Sequence, residues 1–496
     1  MKTKMKRVLG LVLVVVMCAS LLCGCFGGSD TEDNTLVWCT TGKETQRTQE
    51  VLAKVNEILL EKTGYQVEFR YLSTQAYDLA VSSGEDFDLA QAPDYLNFWS
   101  NAAKGAFAEI TDEDLKENAP YIWETGKEAL NFVKLDGVRY SIPRLGSSYT
   151  TRCLAFRGDI MDKAGLEKID TFEEIEKYLD YVKANYPDMI PFDAEGNVPY
   201  NFVSMIATEN RWSPIHSASY ATPVYFDLDD PEHKLFIAAE QPEMLELTET
   251  MKRWNDKGFF SKSVLSNKTH SIDSFKSGRS GMAFVANPAE CQRVWAELSK
   301  DDRAAWDVRF YSRNQGCLLE GSVAGSMVAI GANTKKKEAA LKVLNECYSN
   351  KELYRILTQG GIENVDWKEL EDGSIEYITA LESLAWFAPG VKNYSLDFNQ
   401  TYTFPGSEEL IADMASRAES SAAINMPKNE DGVREILVAM TEVWNQYSTP
   451  RCYGIMTKSP EETLKEEVQM LKKAGIDTYI EELQKQLDAF YESLEK

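Results

Sequence analysis

His216, His233 and His270 are the only histidines in the chain, and none has another histidine three or four residues away. A zinc site with two histidines on one helical turn therefore has no support in the spacing. The nucleophile elbow Gly-x-Ser-x-Gly is missing too, because in Gly321, Ser322, Val323, Ala324 and Gly325 the serine falls one position too early. Neither a P-loop nor a GxGxxG turn occurs to cradle phosphates. Paired acids such as Glu85 with Asp86, or Asp229 with Asp230, have the composition of a glycosidase acid and base. A chain with 78 acidic and 53 basic residues supplies such neighbours by chance, so solvated surface is the better reading. No catalytic group, metal or cofactor is expected.

Binding is better supported than catalysis. The chain has ten tryptophans and 23 tyrosines. An aromatic ring can stack on the apolar C–H face of a sugar while polar side chains take its hydroxyls. In open α/β sheets ligands bind beyond the strand ends, so the aromatic residues in predicted loops there are the candidates: Trp38, Tyr95, Trp99, Tyr149, Trp212 and Trp386. Each serves equally well as a core ring. Trp99 and Trp212 are the leading pair, expected to face each other across a cleft. Thr41, in the loop after the first strand, adds a hydroxyl. Arg144, just after a predicted hairpin, presents either a fork of donors to a ligand or half of a surface ion pair. Trp254 and Trp295, at helical spacing among apolar neighbours, read as structural.

These side chains need a scaffold. Leu36 to Trp38 form an apolar run ending at Thr40, Thr41 and Gly42, after which Val51, Val55, Ile58 and Leu59 recur at helical spacing. Gly64 stops that helix, and Val67, Phe69 and Tyr71 alternate as a second strand. Phe87 to Pro93 reads as a third strand opening into an aromatic loop. Strands alternating with helices predict a mostly parallel sheet. Further on, Thr171 with Glu174 marks a capped helix start, followed by Phe172, Ile175, Leu179 and Val182 on one face. Met244, Leu247, Met251 and Trp254 line a later helix that Gly258 closes. Two terminal helices, one with Leu464, Val468 and Leu471 and the other with Leu483, Leu487 and Phe490, need a partner surface.

The N-terminus sets the compartment. Lys2, Lys4, Lys6 and Arg7 precede an apolar run from Val8 to Met17 that ends in small residues, which is an export signal. Interrupted by Gly24, it is too short for a permanent span of about 20 residues. Loss of the four leader cations takes the formal charge from −25 to about −29. So acidic a chain repels nucleic acid, whose recognition needs a basic stripe. Some 470 remaining residues exceed what one core usually supports, so at least two lobes are expected. Cys39, Cys153, Cys291, Cys317, Cys347 and Cys452 are scattered without CxxC spacing and read first as buried free thiols, with one or two disulfides as the alternative in an exported chain.

Several segments together resemble the extracellular solute-binding proteins of ABC sugar importers, of the maltose-binding type. Ser83 to Leu89, with Lys104 to Phe107, is similar to the family's strand entry, and Gly137 to Pro143 to its hairpin before the first crossover. Asp159 to Leu166 with Thr171 to Glu174, and Phe275 to Met282, resemble two further segments. Gly360 to Glu363 and the stretch from Leu471 to Asp488 are similar to a Gram-positive lipoprotein subfamily with an extended C-terminal region. Trp386 departs from that subfamily, in which a Gly-Asn-Gln lies near the tryptophan; here Asn399 and Gln400 come later. Leu22, Cys23, Gly24 and Cys25 resemble a lipobox, which makes Cys25 the acylated N-terminus after removal of residues 1–24 and residues 25–34 a tether.

The resemblance implies an α/β, two-lobed fold of the periplasmic-binding-protein type II class, with mostly parallel sheets, helices on both faces and a ligand cleft between the lobes. Lobe 1 would hold 35–146 plus 323–385, and lobe 2 would hold 147–322 plus 386–496 with the C-terminal helices. Crossovers are expected near 145–152, near 318–325 and after about Trp386. The implied role is capture of a sugar or oligosaccharide outside the cell and delivery to the permease subunits of an ABC importer, by a monomer held to the membrane through its N-terminal lipid. An extracellular carbohydrate-active enzyme and a sensory or adhesion lipoprotein are the alternatives.

Overall fold

The computed structural model describes residues 34–494, apart from 147, 150, 197–199, 217–221, 301, 314, 372, 400–401 and 431. The leader, Cys25 and the tether up to residue 33 lie outside the described residues. Two sheets organise the chain. In chain order their strands are β1 (Thr35–Thr40), β2 (Gln66–Tyr71), β3 (Leu89–Gln91), β4 (Ser141–Pro143), β5 (Cys153–Arg157), β6 (Met282–Val285), β7 (Val308–Ser312) and β8 (Met327–Ile330). The first sheet has the order β2-β1-β3-β8-β4 and the second β6-β5-β7.

β1 runs parallel to β2 and β3, as strand and helix alternation predicts. β8 is antiparallel to β3 and β4, and β6 and β7 are both antiparallel to β5. The first sheet is therefore mixed and the second antiparallel, in place of mostly parallel sheets. Only β1 to β3 are joined by short helical crossovers, which force parallel pairing; the other strands return from long excursions that leave direction free. Because β8 rejoins the first sheet after the second has been built, the chain passes between the sheets after Pro143 and again after Ser312.

The helices that matter here are α1 (Thr48–Thr63), α2 (Phe172–Asn185), α3 (Pro242–Asp256), α4 (Lys337–Ser349), α5 (Arg434–Val443), α6 (Pro460–Ala474) and α7 (Ile476–Leu494). α1 buries Val51, Val55, Ile58 and Leu59 and ends at Gly64, whose φ of 80° suits a residue without Cβ. At the start of α2 the Thr171 hydroxyl accepts from the Glu174 amide at 3.2 Å, and the Glu174 carboxylate accepts from the Thr171 amide at 3.1 Å. α1 and α4 pack on the first sheet, in a core that includes Leu36, Leu59, Ile142, Val328 and Leu344. α2, α3, α6 and α7 share a second core that includes Phe156, Leu179, Trp254, Leu471 and Leu487. The C-terminal helices thus find their partner surface on the second sheet's side. A buried ion pair ties α6 to the segment before it, Arg451 and Ser448 each donating to the Glu467 carboxylate at 2.6 Å, and Arg451 also donates to Thr248 of α3 at 3.3 Å.

Residues 386 to about 398 depart from the expected boundary, which placed them in lobe 2. Phe387 and Val391 belong to the first core, with Phe387 stacked on Phe69 at 4.8 Å between ring centres. The Thr40 hydroxyl holds the Phe387 and Ala388 carbonyls at 2.7 Å each. Gly42 lies so close beneath that a Cβ there would stand 2.2 Å from the Trp386 carbonyl. Phe398 remains on the same side, edge-on to Trp367 at 5.1 Å with Arg355 over its ring, and only the buried residues after it, Phe404 and Leu410, lie in a core built on β5 to β7. Cys39, Cys153, Cys291, Cys317, Cys347 and Cys452 are free and buried. Among the described residues no helix is long and apolar enough to cross a membrane.

Candidate ligand-binding cleft

β1 and β3 end side by side, and their ends build one wall of a cleft. The Thr41 amide and hydroxyl donate to the Gln91 side-chain carbonyl at 3.0 and 2.8 Å. Beyond Gln91 a single turn, Asp94–Leu96, leads through Asn97, which takes the left-handed conformation that asparagine tolerates (φ 59°), into the short helix Phe98–Ala103. This turn presents Tyr95 with 66% of its surface exposed, while Trp99 is tucked edge-on against Phe98 at 4.8 Å.

The facing wall comes from residues 214–216 and from a C-terminal unit that runs from Ala422 to the end of α7. The His216 amide donates to the Ala423 carbonyl at 3.0 Å, and its ring Nδ1 lies 2.9 Å from the Met426 carbonyl. The crossover before β8 joins the same unit, because the Val323 amide donates to the Asn425 side chain at 2.8 Å. The cavity between the walls measures about 290 Å³, near the lower end of the range for small-molecule sites. Tyr95, Trp99, Ile215, His216, Ser322, Leu437 and Tyr479 line it. A second cavity of about 340 Å³ adjoins it, sharing Asp94, Trp99 and Lys428, and adds Lys104, Asp136, Glu430 and Arg434.

Burial shapes the electrostatics. It raises the Asp94 carboxyl above its ordinary 3.8, against the Tyr95 amide hydrogen bond and the Lys428 and Arg144 cations, which pull it down. Burial pushes the His216 imidazole down to about 4 and Tyr479 up to about 12. At neutral pH the cavity therefore offers a neutral imidazole and a protonated phenol. Among the described residues no three His, Cys, Asp or Glu side chains gather to hold a metal ion.

The residues singled out from sequence fall into three groups. Tyr95 and Trp99 line the cavity, and Thr41 lies behind them on Gln91, whose amide reaches the Tyr95 hydroxyl at 3.5 Å. Trp386 is 53% exposed, with Lys43 over its ring at 5.6 Å; its segment packs beside Gly42, so it stands near this wall without lining the cavity. Trp38 and Trp212 are corrections. Trp38 is wholly buried and stacks on Phe69 at 5.3 Å, because inward residues of a sheet covered on both faces become core. Trp212 is 5% exposed and packs between Tyr225 and Phe236, so it does not face Trp99. The chain turns after Ser213, and Ile215 and His216 point where Trp212 was expected to.

Arg144 and Tyr149 sit in the crossovers. The Arg144 guanidinium donates to the Gly321 carbonyl and, at 3.1 Å, to the Tyr394 hydroxyl, and that hydroxyl is 2.8 Å from Ser148 Oγ. Its fork therefore ties together three passages of chain and forms no surface ion pair among the described residues. Tyr149 is half-buried and forms an antiparallel bridge with Glu320. Sequence reasoning missed His216, Lys428, Leu437 and Tyr479. His216 carried one usable signal, its place four residues after Trp212 in a proline-containing loop. The others look like ordinary helical periodicity.

Two sheets sharing one chain that crosses between them, with a cavity lined from both sides, define a two-lobed solute-binding protein. The signature described as bacterial extracellular solute-binding protein matches residues 41–353, and one described as a domain of unknown function, DUF3502, matches residues 428–492. The chain belongs to the bacterial extracellular solute-binding protein family. It is 26% identical to a carbohydrate ABC transporter substrate-binding protein of Streptococcus pneumoniae, over 99% of each chain. The N-glycan transport solute binding protein NgtS from the same organism superposes with a TM-score of 0.74 at 22% identity, over 92% of this chain and 98% of that one. An extracellular solute-binding protein from Bifidobacterium longum subsp. infantis superposes with a TM-score of 0.69 at 14% identity, over 94% and 100%.

Proposed function

We propose that this protein captures a neutral oligosaccharide outside the cell and delivers it to the permease subunits of an ABC importer, without chemical turnover. The observation that carries this reading is Tyr95, an exposed ring at the mouth of a cavity whose opposite side is formed by Ile215 and His216. An aromatic platform with convergent polar groups matches a pyranose, which has an apolar face and a rim of hydroxyls. The pneumococcal relative, a carbohydrate ABC transporter substrate-binding protein over its whole length, supports the same ligand class. NgtS structures contain Man1GlcNAc and Man5GlcNAc, which makes short mannose-containing glycans natural first probes.

Lobe 1 is then 35–146 together with 323 to about 398, and lobe 2 is 147–322 together with the remainder, the chain crossing near 145–152, 318–325 and just before Phe404. Tyr95, Trp99 and Thr41 serve the ligand from lobe 1, with Trp386 as an outlying platform; Arg144 and Tyr149 serve the hinge. The protein acts as a monomer anchored by lipid on Cys25, which follows the Leu22, Cys23, Gly24 sequence, since two or more acyl chains hold a protein to a membrane stably. Replacing Cys25 by Ala should release the chain into the medium; full membrane retention of the variant contradicts the anchor. A calorimetric and thermal-shift screen of mono- and oligosaccharides, uronates, amino acids and peptides tests the ligand class. A glycan at about 100 times its Kd should add roughly 2.7 kcal/mol of stability, with no product detectable by chromatography. A response confined to amino acids or peptides refutes the carbohydrate reading.

A further inference from the structure

We infer that the C-terminal unit reads the ligand: its Met426 carbonyl fixes His216 as a hydrogen-bond acceptor for a ligand hydroxyl, while Leu437 and Tyr479 complete the wall around that hydroxyl. The inference rests on the carbohydrate reading above and gives residues 428–492, matched as a domain of unknown function, a part in choosing the ligand.

A carbonyl oxygen can only accept, so the ring nitrogen 2.9 Å from the Met426 carbonyl must carry the proton. A neutral imidazole protonated at Nδ1 has a lone pair at Nε2. That Nε2 has no hydrogen-bond partner among the described residues, and the ring lines the cavity with Tyr95 opposite. The Tyr479 hydroxyl is likewise without a partner among the described residues, and its ring lines the same cavity. An acceptor and a donor-acceptor phenol in one small cavity suit a hydroxyl, which donates to one and accepts from the other. A carboxylate at the same position would meet the Nε2 lone pair with its own and is disfavoured there. The tautomer depends on the C-terminal unit, because Ala423 and Met426 hold His216 through its amide and its ring. Val323 in the crossover is tied to Asn425 in the same stretch, so the reading element is joined to the hinge.

The test uses the mature chain on a printed array of neutral and uronate-containing glycans, followed by calorimetry with the tightest neutral binder. His216→Asn is the decisive variant. Asparagine tolerates the positive φ of 66° at this position and can still donate to the Met426 carbonyl, but it offers nothing in the place of Nε2. It should melt as the parent does while losing about tenfold in affinity for the neutral glycan, with a smaller loss for uronate analogues. Tyr479→Phe should weaken the same neutral glycans. If both variants bind with the parent's affinity, the inference is overturned and the carbohydrate reading stands. If the parent binds no glycan, both fall. Should His216→Asn fail to fold, the nitrogen chemical shifts of labelled histidine in the parent decide, and a proton on His216 Nε2 overturns the assignment.

Discussion

Tyr95 and Trp38 are both aromatic residues near strand ends, and their fates differ completely. Trp38 points inward from a strand covered on both faces, whereas Tyr95 stands on a turn whose backbone is fixed by Asp94 and Asn97. Exposure makes Tyr95 expendable for stability, so Tyr95→Ala should leave the melting temperature unchanged. It should raise the Kd for the captured glycan at least tenfold, about 1.4 kcal/mol, and unchanged affinity in calorimetry would remove Tyr95 from the site. His216 makes a second prediction, in pH. Its folded value, about 4, lies below its ordinary 6.5, chiefly through burial and also through the Lys428 cation, against the Met426 carbonyl and the Glu430 carboxylate, which favour the proton. Asp94 and Tyr95 line the opposite side of the same cavity, and Tyr479 lines it on the side of His216. Between those values the unfolded chain binds the proton more readily, so stability should fall as pH drops from about 6.5 towards 4 and this contribution should level off below. Urea midpoints of His216→Asn should show a shallower slope across that window than the parent's.

Helices α6 and α7 carry ordinary amphipathic periodicity, but their attachment depends on a feature that periodicity does not reveal. Arg451 and Glu467 are each 2% exposed, joined at 2.6 Å. Removing one partner leaves a buried charge unpaired, a change that costs about 3 to 5 kcal/mol. Glu467→Ala should therefore lower the unfolding free energy extrapolated from urea titration by that much, and paired replacement of Arg451 and Glu467 by Met and Leu should recover most of the loss. A single variant as stable as the parent would show that the pair carries no such burden. The same unit provides Leu437 and Tyr479 to the cleft, so loosening it should weaken glycan binding in step with stability.

Across the whole molecule the decisive feature is the number of times the chain passes between its sheets. Arg144 fastens those passages, joining the first to Gly321 in the second and Tyr394 ahead of the third. A ligand that touches Tyr95 on one side and His216 on the other prefers the closed arrangement, because only a difference in affinity between states can shift them. Small-angle scattering should show compaction when the glycan identified by calorimetry is added. Arg144→Met should change the radius of gyration of the free protein while leaving the cavity side chains in place. A radius that changes neither with ligand nor with the variant would exclude hinge closure.

Acidity, the run from β1 to β3 and the capped start of α2 were all legible in the sequence, because each is decided within a few neighbouring residues: a charge count, an apolar period, a Thr171 with its Glu174. The aromatic loop after β3 was legible for the same reason, and with it Tyr95 and Trp99. Strand direction in the second sheet was not, since antiparallel pairing there joins residues more than a hundred positions apart, as with Ala155 and Ala283. Nor could local pattern tell that Trp212 turns inward while His216 faces the cavity, or that Arg144 serves the crossovers. Those outcomes depend on which distant segments arrive alongside, Tyr225 and Phe236 for Trp212, Met426 for His216, Gly321 and Tyr394 for Arg144. Sequence determines what each side chain is able to do, and only tertiary packing decides which of its neighbours it does it with.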